Sequence, residues 1–235
     1  DRFGRAREIL SVLLERDPKH PLVLTWLGFW HVLRVQKGFS NDRQLDAQLA
    51  SQLATSALAV DPSFSLALTL KGAIAGHLLF HFDLAQESYD LALKDNPNEA
   101  LAILLKGAAN AYQDHPDEAV KLTEAARKLS PLGPQRYYFD SVAAFASLSA
   151  HDYDRAIELA DRSLQANSSY PASLRTKAIA LQLTGRDGEA KTVVQDLIST
   201  CPNFNISLYH RDHPAAITRD GGEWAKALKQ AGVPD

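Results

Sequence analysis

The sequence predicts an all-α protein, a right-handed solenoid of antiparallel helix pairs. Three observations carry that prediction. An alanine is followed twelve residues later by a proline, as in Ala6 and Pro18, Ala50 and Pro62, Ala85 and Pro97, Ala119 and Pro131, Ala190 and Pro202, with Ser168 standing in after Ala156. A second small residue sits ten positions past that turn: Gly28, Gly72, Gly107 and Ala178, with Ala144 in the same role after a three-residue insertion. Apolar residues between these marks recur every three or four positions, the helical period, and no strand-like alternation persists.

Each element follows from this frame. Residues 1–18 read as a half repeat, the second helix of a pair (Phe3 to Glu15, with Leu10, Leu13 and Leu14 as its stripe), whose first helix is expected upstream. In 19–62 ten extra residues separate Gly28 from Ala50, so the helices or the turn near Lys37 to Asp42 must be longer. In 63–97 the stripe Leu66, Leu70, Ile74 and Leu78 marks the first helix. Repeats 98–131, 132–168 and 169–202 follow. Second helices are expected to begin after Asp83, Asp117, Asp154 and Asp187, where a carboxylate caps free N–H groups and opposes the dipole. Gly185 suits a left-handed helix stop. Asp17-Pro18, Asp61-Pro62, Asn96-Pro97 and Ser130-Pro131 end helices, because the residue before proline is pushed out of the helical region. Residues 203–235 leave the repeat; Trp224, Ala227, Leu228 and Ala231, between Gly222 and Gly232, mark a C-terminal capping helix.

Composition narrows the functional classes. With 46% hydrophobic and 23% charged residues, the 235-residue chain is not disordered, collagenous or fibrous. A net charge of −3 offers no basic surface for nucleic acid. No apolar run reaches membrane-spanning length. The lone Cys201 excludes an internal disulfide or a Cys-based zinc site and fits a reducing, cytoplasmic setting.

No reaction centre is legible. His77 and His81 are four apart, but Leu78-Leu79-Phe80 between them lacks the glutamate of a zinc-protease helix. His210-Arg211-Asp212-His213 reads as a polar loop. There is no nucleophile elbow and no phosphate-binding glycine loop, and Gly221-Gly222 reads as a helix start. Cys201 before Pro202 has no reactive context. No catalytic residue, metal or cofactor is expected; the alternative, an enzyme built on a solenoid, needs polar groups converging in one pocket.

These spacings resemble the tetratricopeptide repeat family, whose 34-residue helix–turn–helix unit carries small residues at its eighth and twentieth positions and proline at its thirty-second. The resemblance covers about residues 1–202. It departs where a large aromatic is expected early in each first helix: Leu24, Leu68, Ile103, Asp140 and Leu174 stand there, and Asp140 makes the fourth repeat the least regular. The resemblance implies a non-catalytic module that holds a protein or peptide partner, or a second copy of itself, on a concave face formed by the first helices. It places Phe29, Leu33, Thr69, His77, Leu101, Leu104, Tyr112, Tyr138, Phe145, Leu148, Arg175 and Ile179 on that face, a mostly apolar wall. The slots that grip a C-terminal carboxylate in some relatives hold Thr25, Phe29, Thr69, Ala73, Leu104 and Ala108 here, which disfavours that mode. Lys71, Lys106 and Lys177 recur before the small residue of first helices; their stems are expected on apolar neighbours with the charge in water.

A finer resemblance is to the C-terminal repeat regions of bacterial class III adenylate/guanylate cyclases and of winged-helix regulators. It rests on Ala57-Leu58-Ala59-Val60-Asp61-Pro62, Ala126-Arg127-Lys128-Leu129-Ser130-Pro131, Tyr153 to Ala160, Asp161-Arg162-Ser163-Leu164 and the closing Leu228-Lys229-Gln230-Ala231-Gly232-Val233-Pro234. It implies that the repeats follow a catalytic or DNA-binding domain and act as its regulator; the other reading is a stand-alone adaptor.

Overall fold

The computed structural model describes residues 2–131, 133 and 135–235; Asp1, the start of the expected half repeat, lies outside them. The described residues form α-helices with no strand. In order these are α1 (Arg2–Arg16), α2 (Pro21–Gln36), α3 (Arg43–Val60), α4 (Ser65–Ala73) continued by a π-helical turn (Ile74–Leu78), α5 (Phe82–Asp95) and α6 (Ala100–Tyr112). They continue with α7 (Pro116–Leu129), α8 (Arg136–Ser149), α9 (Tyr153–Ala166), α10 (Pro171–Leu183), α11 (Asp187–Thr200), α12 (Ile206–Asp212), a 3₁₀ turn (Pro214–Ile217) and α13 (Gly221–Gln230). The chain divides into two compact units, Asp1–Leu105 and Lys106–Asp235.

In each unit small residues set how closely paired helices approach. In the first, a β-carbon on Gly72 of α4 would lie 2.4 Å from Tyr89 Cε1 of α5, and one on Gly28 of α2 would lie 2.4 Å from Leu70 Cδ2. In the second, a β-carbon on Gly107 of α6 would meet Thr123 Cγ2 at 2.7 Å and the Ala119 carbonyl oxygen at 3.2 Å. Ala50, Ala85, Ala119, Ala144, Ala156, Ala178 and Ala190 are wholly buried, whereas Ala6 on α1 is exposed. Three small apolar clusters each draw on a pair and the first helix of the next. Leu24, Ala57 and Ala67 make one, and Leu68, Ala92 and Ala102 another, both in the first unit. Ala111, Ala119 and Ala146 make one in the second.

Several local expectations change. The extra residues of 19–62 lengthen both helices, α2 to 16 and α3 to 18 residues, around a turn over 37–42. Second helices start one residue before Asp83, Asp117 and Asp154, and at Asp187 itself, so those carboxylates lie in the first turn and oppose the dipole rather than cap. The cap of α9 is Asp152, whose side chain accepts from Arg155 N. The residues before proline do more than stop helices. Asp61 and Asn96 accept the N–H of Ser63 and Asn98, closing Asx turns that start the next helix. Gly185 is left-handed at φ +74°, and the corresponding turns pass through the same region at Phe80, Asp114 and His151, where no glycine signals it. The segment His210 to Asp212 is the end of α12, not a loop.

Two outcomes are expected from the glycines. Gly107→Ala will lose about 1–3 kcal/mol in denaturant unfolding, because Thr123 is pinned by its own hydrogen bond to the Ala119 carbonyl at 2.9 Å. Gly188→Ala, in open space on α11, will gain up to about 1 kcal/mol. A third concerns pH. Burial pulls the His77 imidazole from its ordinary 6.5 down to about 4. The folded state therefore keeps it neutral while the unfolded chain takes up a proton. Stability present above pH 6.5 will fall by roughly 2–3 kcal/mol as pH drops toward 4, and His77→Gln will flatten that slope.

Candidate functional site

In the second unit the C-terminal tail packs on the first helices α8 and α10, and the two share one buried core. Phe145 of α8 packs against Tyr112 of α6 at 4.9 Å and receives the edge of Trp224 from α13 at 5.7 Å. Trp224 is 2% exposed and belongs to one core with Leu148, Ile179, Leu181, Tyr209 and Leu228. Polar contacts hold the tail as well: Arg219 N donates to the Asp114 carboxylate at 3.3 Å, and His151 Nε2 lies 2.9 Å from Asp220 Oδ2. The amphipathic spacing of Trp224, Ala225, Ala227 and Leu228 makes α13 fit an apolar wall, with Glu223, Lys226 and Lys229 left outside.

Beside this apolar seat is a polar centre on Arg175 of α10. Its Nη2 lies 2.6 Å from His213 Nε2, while His213 Nδ1 accepts the Ala215 N–H at 3.1 Å. Among the described residues no carboxylate pairs with Arg175. Burial pulls its pKa down, and Tyr209, Tyr112 and Tyr170 oppose that. Burial in turn pushes the Tyr112 hydroxyl up to about 12, against the pull of Arg175, and carries Tyr170 and Tyr209 higher. Tyr138 packs edge-on to Tyr170 at 6.4 Å. With their hydroxyls pushed up by burial, Tyr112, Tyr170 and Tyr209 stay neutral at physiological pH and are neither nucleophiles nor bases.

In the first unit the residues expected on a concave face are mostly buried. Thr69 is fully buried and donates to the Ser65 carbonyl at 2.8 Å; Leu104 is fully buried, and Leu101 and Phe29 nearly so. Leu33 is half-buried, and His77 lies in the π-helical turn. The π turn carries His81 into the cap position of α5, separating the two imidazoles by a change of helix. Of the three lysines, Lys71 is exposed, while Lys177 Nζ contacts Asp161 Oδ1 at 2.6 Å.

One buried centre escaped the sequence reading. Asp46 of α3 is fully buried; it lies 2.6 Å from His31 Nδ1 and accepts Arg34 Nη1 at 3.1 Å and Ser40 Oγ at 2.5 Å. Burial raises its pKa, but the hydrogen bonds from His31 and Ser40 and the charge of Arg34 hold the carboxyl below its ordinary value. Ser, His and Asp meet here in the wrong order for acyl transfer: the hydroxyl donates to the carboxylate, not to the imidazole, so nothing activates it. The network closes the turn between the two lengthened helices. Among the described residues no three metal-ligating side chains converge, and no helix is long and apolar enough to cross a membrane.

No protein-family profile matches the chain, and no curated protein matches it significantly. Solved structures do. The chain is similar to PilW, a widely conserved type IV pilus biogenesis factor, at 22% identity over 87% of each chain with a TM-score of 0.61. It is similar to the Cut9–Hcn1 hetero-tetramer at 15% identity over 98% of this chain and 40% of that one, TM-score 0.71. It is also similar to TTC0263, a thermophilic tetratricopeptide repeat protein of Thermus thermophilus, at 18% identity over 77% and 91% of the two chains, TM-score 0.58. The chain thus has the fold of tetratricopeptide repeat proteins, an α-solenoid of helix pairs.

Proposed function

We propose that this chain is a non-catalytic protein-interaction module whose first-helix face receives an amphipathic helix from a protein partner or from a second copy. The observation that carries the reading is α13: the face of α8 and α10 already seats an amphipathic helix in cis, with Trp224 as its buried anchor. Phe145, Leu148 and Ile179 supply the apolar seat, and Tyr112, Tyr138 and Arg175 its polar edge. In the first unit, half-buried Leu33 and nearly buried Phe29 are the corresponding contacts. Similarity to a chain solved as part of a hetero-tetramer fits this use of the fold.

The finer context we propose is regulatory. The phrases from Ala57 to Pro62 and from Leu228 to Pro234 support attachment to a cytoplasmic bacterial adenylate cyclase-type protein, whose paired half-sites need dimerisation. The other readings are attachment to a winged-helix regulator and a stand-alone adaptor; finding or excluding a cyclase domain in the gene that encodes this chain decides between them.

Trp224→Ala tests the reading. Truncating so buried a ring costs about 3–5 kcal/mol of local stability. Amide exchange across 206–230 will accelerate, while α4 and α5 keep their protection. Light scattering and pull-down from the source organism's lysate will show stronger self-association or partner capture than with the native chain. Both proteins remaining strict monomers that capture nothing would sink the proposal.

A further inference from the structure

Asp140 occupies a slot that is apolar in the other repeats, and around it arginines from three successive helices gather. Asp140 is 2% exposed and accepts Arg127 Nε of α7 on Oδ1 at 2.7 Å. Its Oδ2 is 3.6 Å from Arg136 Nε of α8 and 3.8 Å from Arg162 Nε of α9, too far for a hydrogen bond. Arg127 is completed by Glu124, whose oxygens take Nη1 at 2.7 and 2.8 Å. Arg136 and Arg162, 47% and 34% exposed, have no hydrogen-bond acceptor among the described residues. Between the three guanidiniums lies a cavity of about 80 Å³, lined also by Ser130, Pro131 and Phe139.

We propose that this cavity is a binding site for a phosphoryl oxyanion, held by the forks of Arg136 and Arg162 with the Ser130 hydroxyl as a further donor. The chemistry follows from the donor set. Guanidinium presents paired N–H groups that match the oxygens of phosphate, and charge-assisted pairs of this kind are about twice as strong as neutral ones. Three guanidiniums outnumber Asp140 and the Glu124 carboxylate that completes Arg127, so the cluster keeps a positive excess. The volume, about that of two or three waters, admits a compact tetrahedral group. Asp140 is a positioning residue: with Oδ1 taken by Arg127, it draws the other two arginines toward a common point without satisfying them. The site shares no residue with the α13 seat, so it stands or falls independently of the interaction reading.

The test is calorimetric titration of the whole chain with inorganic phosphate, and separately with phosphoserine, at ionic strength held constant with potassium chloride. Saturable one-to-one binding is expected. R136Q and R162Q will each weaken it about tenfold or more. K121Q, which removes an exposed lysine paired with Glu118, will leave it unchanged. Circular dichroism will show native helicity in both arginine variants, since these side chains are partly exposed. Tighter binding of phosphoserine identifies a phosphorylated side chain as the source of the group; tighter binding of inorganic phosphate identifies the free anion; both support the site. No heat beyond that of chloride dilution, or equal weakening by K121Q, would overturn it.

Discussion

The close approach of paired helices at residues without bulk is the constraint on which the rest of the structure depends. Tyr89 is 1% exposed because its ring lies where a β-carbon of residue 72 would be. Thr123 does the same at Gly107 with its methyl, its hydroxyl turned back on its own helix. Once a pair is locked at this distance, its outer edges form the floor for the next first helix. Clusters such as Leu68, Ala92 and Ala102 exist only because two helices of one pair are near enough to touch a third together. Stability is then passed between neighbours, and side chains on first helices are free to vary wherever they do not contact the next pair.

That division explains what the sequence made legible. Spacing of small residues, proline turns and apolar stripes reports steric necessity, and steric necessity repeats, so the helix pairs and the fold class could be read directly. The turn at Gly185 could be read for the same reason, while those at Phe80, Asp114 and His151 could not: side chains there accept a left-handed backbone at a small local cost, leaving no compositional mark. The Asp46 centre was hidden for a different reason. His31, Arg34, Ser40 and Asp46 span an irregular turn, and no period relates them. A buried aspartate on an otherwise apolar helix face, with three polar side chains within fifteen residues, was the available signal. Register assigns positions along a first helix, but it says nothing of what covers them. Thr69 and Leu104 are closed by neighbouring side chains, and Leu148 and Ile179 belong to a core that includes the tail.

The tail joins fold and function. A solenoid end exposes an apolar face that must be covered. Here a helix docked on α10 and reaching Phe145 of α8 covers such a face. The seat has a mixed character, an aromatic cluster of Tyr112, Phe145 and Trp224 beside the Arg175 and His213 contact. The aromatic part is indifferent to which amphipathic helix fills it. The polar part is closed by the tail itself, where His213 at the end of α12 meets the Arg175 guanidinium.

Buried charge also separates the two kinds of irregularity in the chain. At Asp46 every carboxylate oxygen is matched at hydrogen-bond length, so the network is closed and its consequence is rigidity of the lengthened hairpin. At Asp140 the match is incomplete: one oxygen is satisfied, and two arginines are drawn in without a hydrogen-bond acceptor among the described residues. Burying an aspartate among first-helix positions that are otherwise apolar is unfavourable unless its partners are fully engaged. A structure that concentrates guanidiniums and then leaves two unfilled has a geometry that folding alone does not require. The closed centre at Asp46 accounts for itself; the open one at Asp140 is accounted for by an anion that completes it.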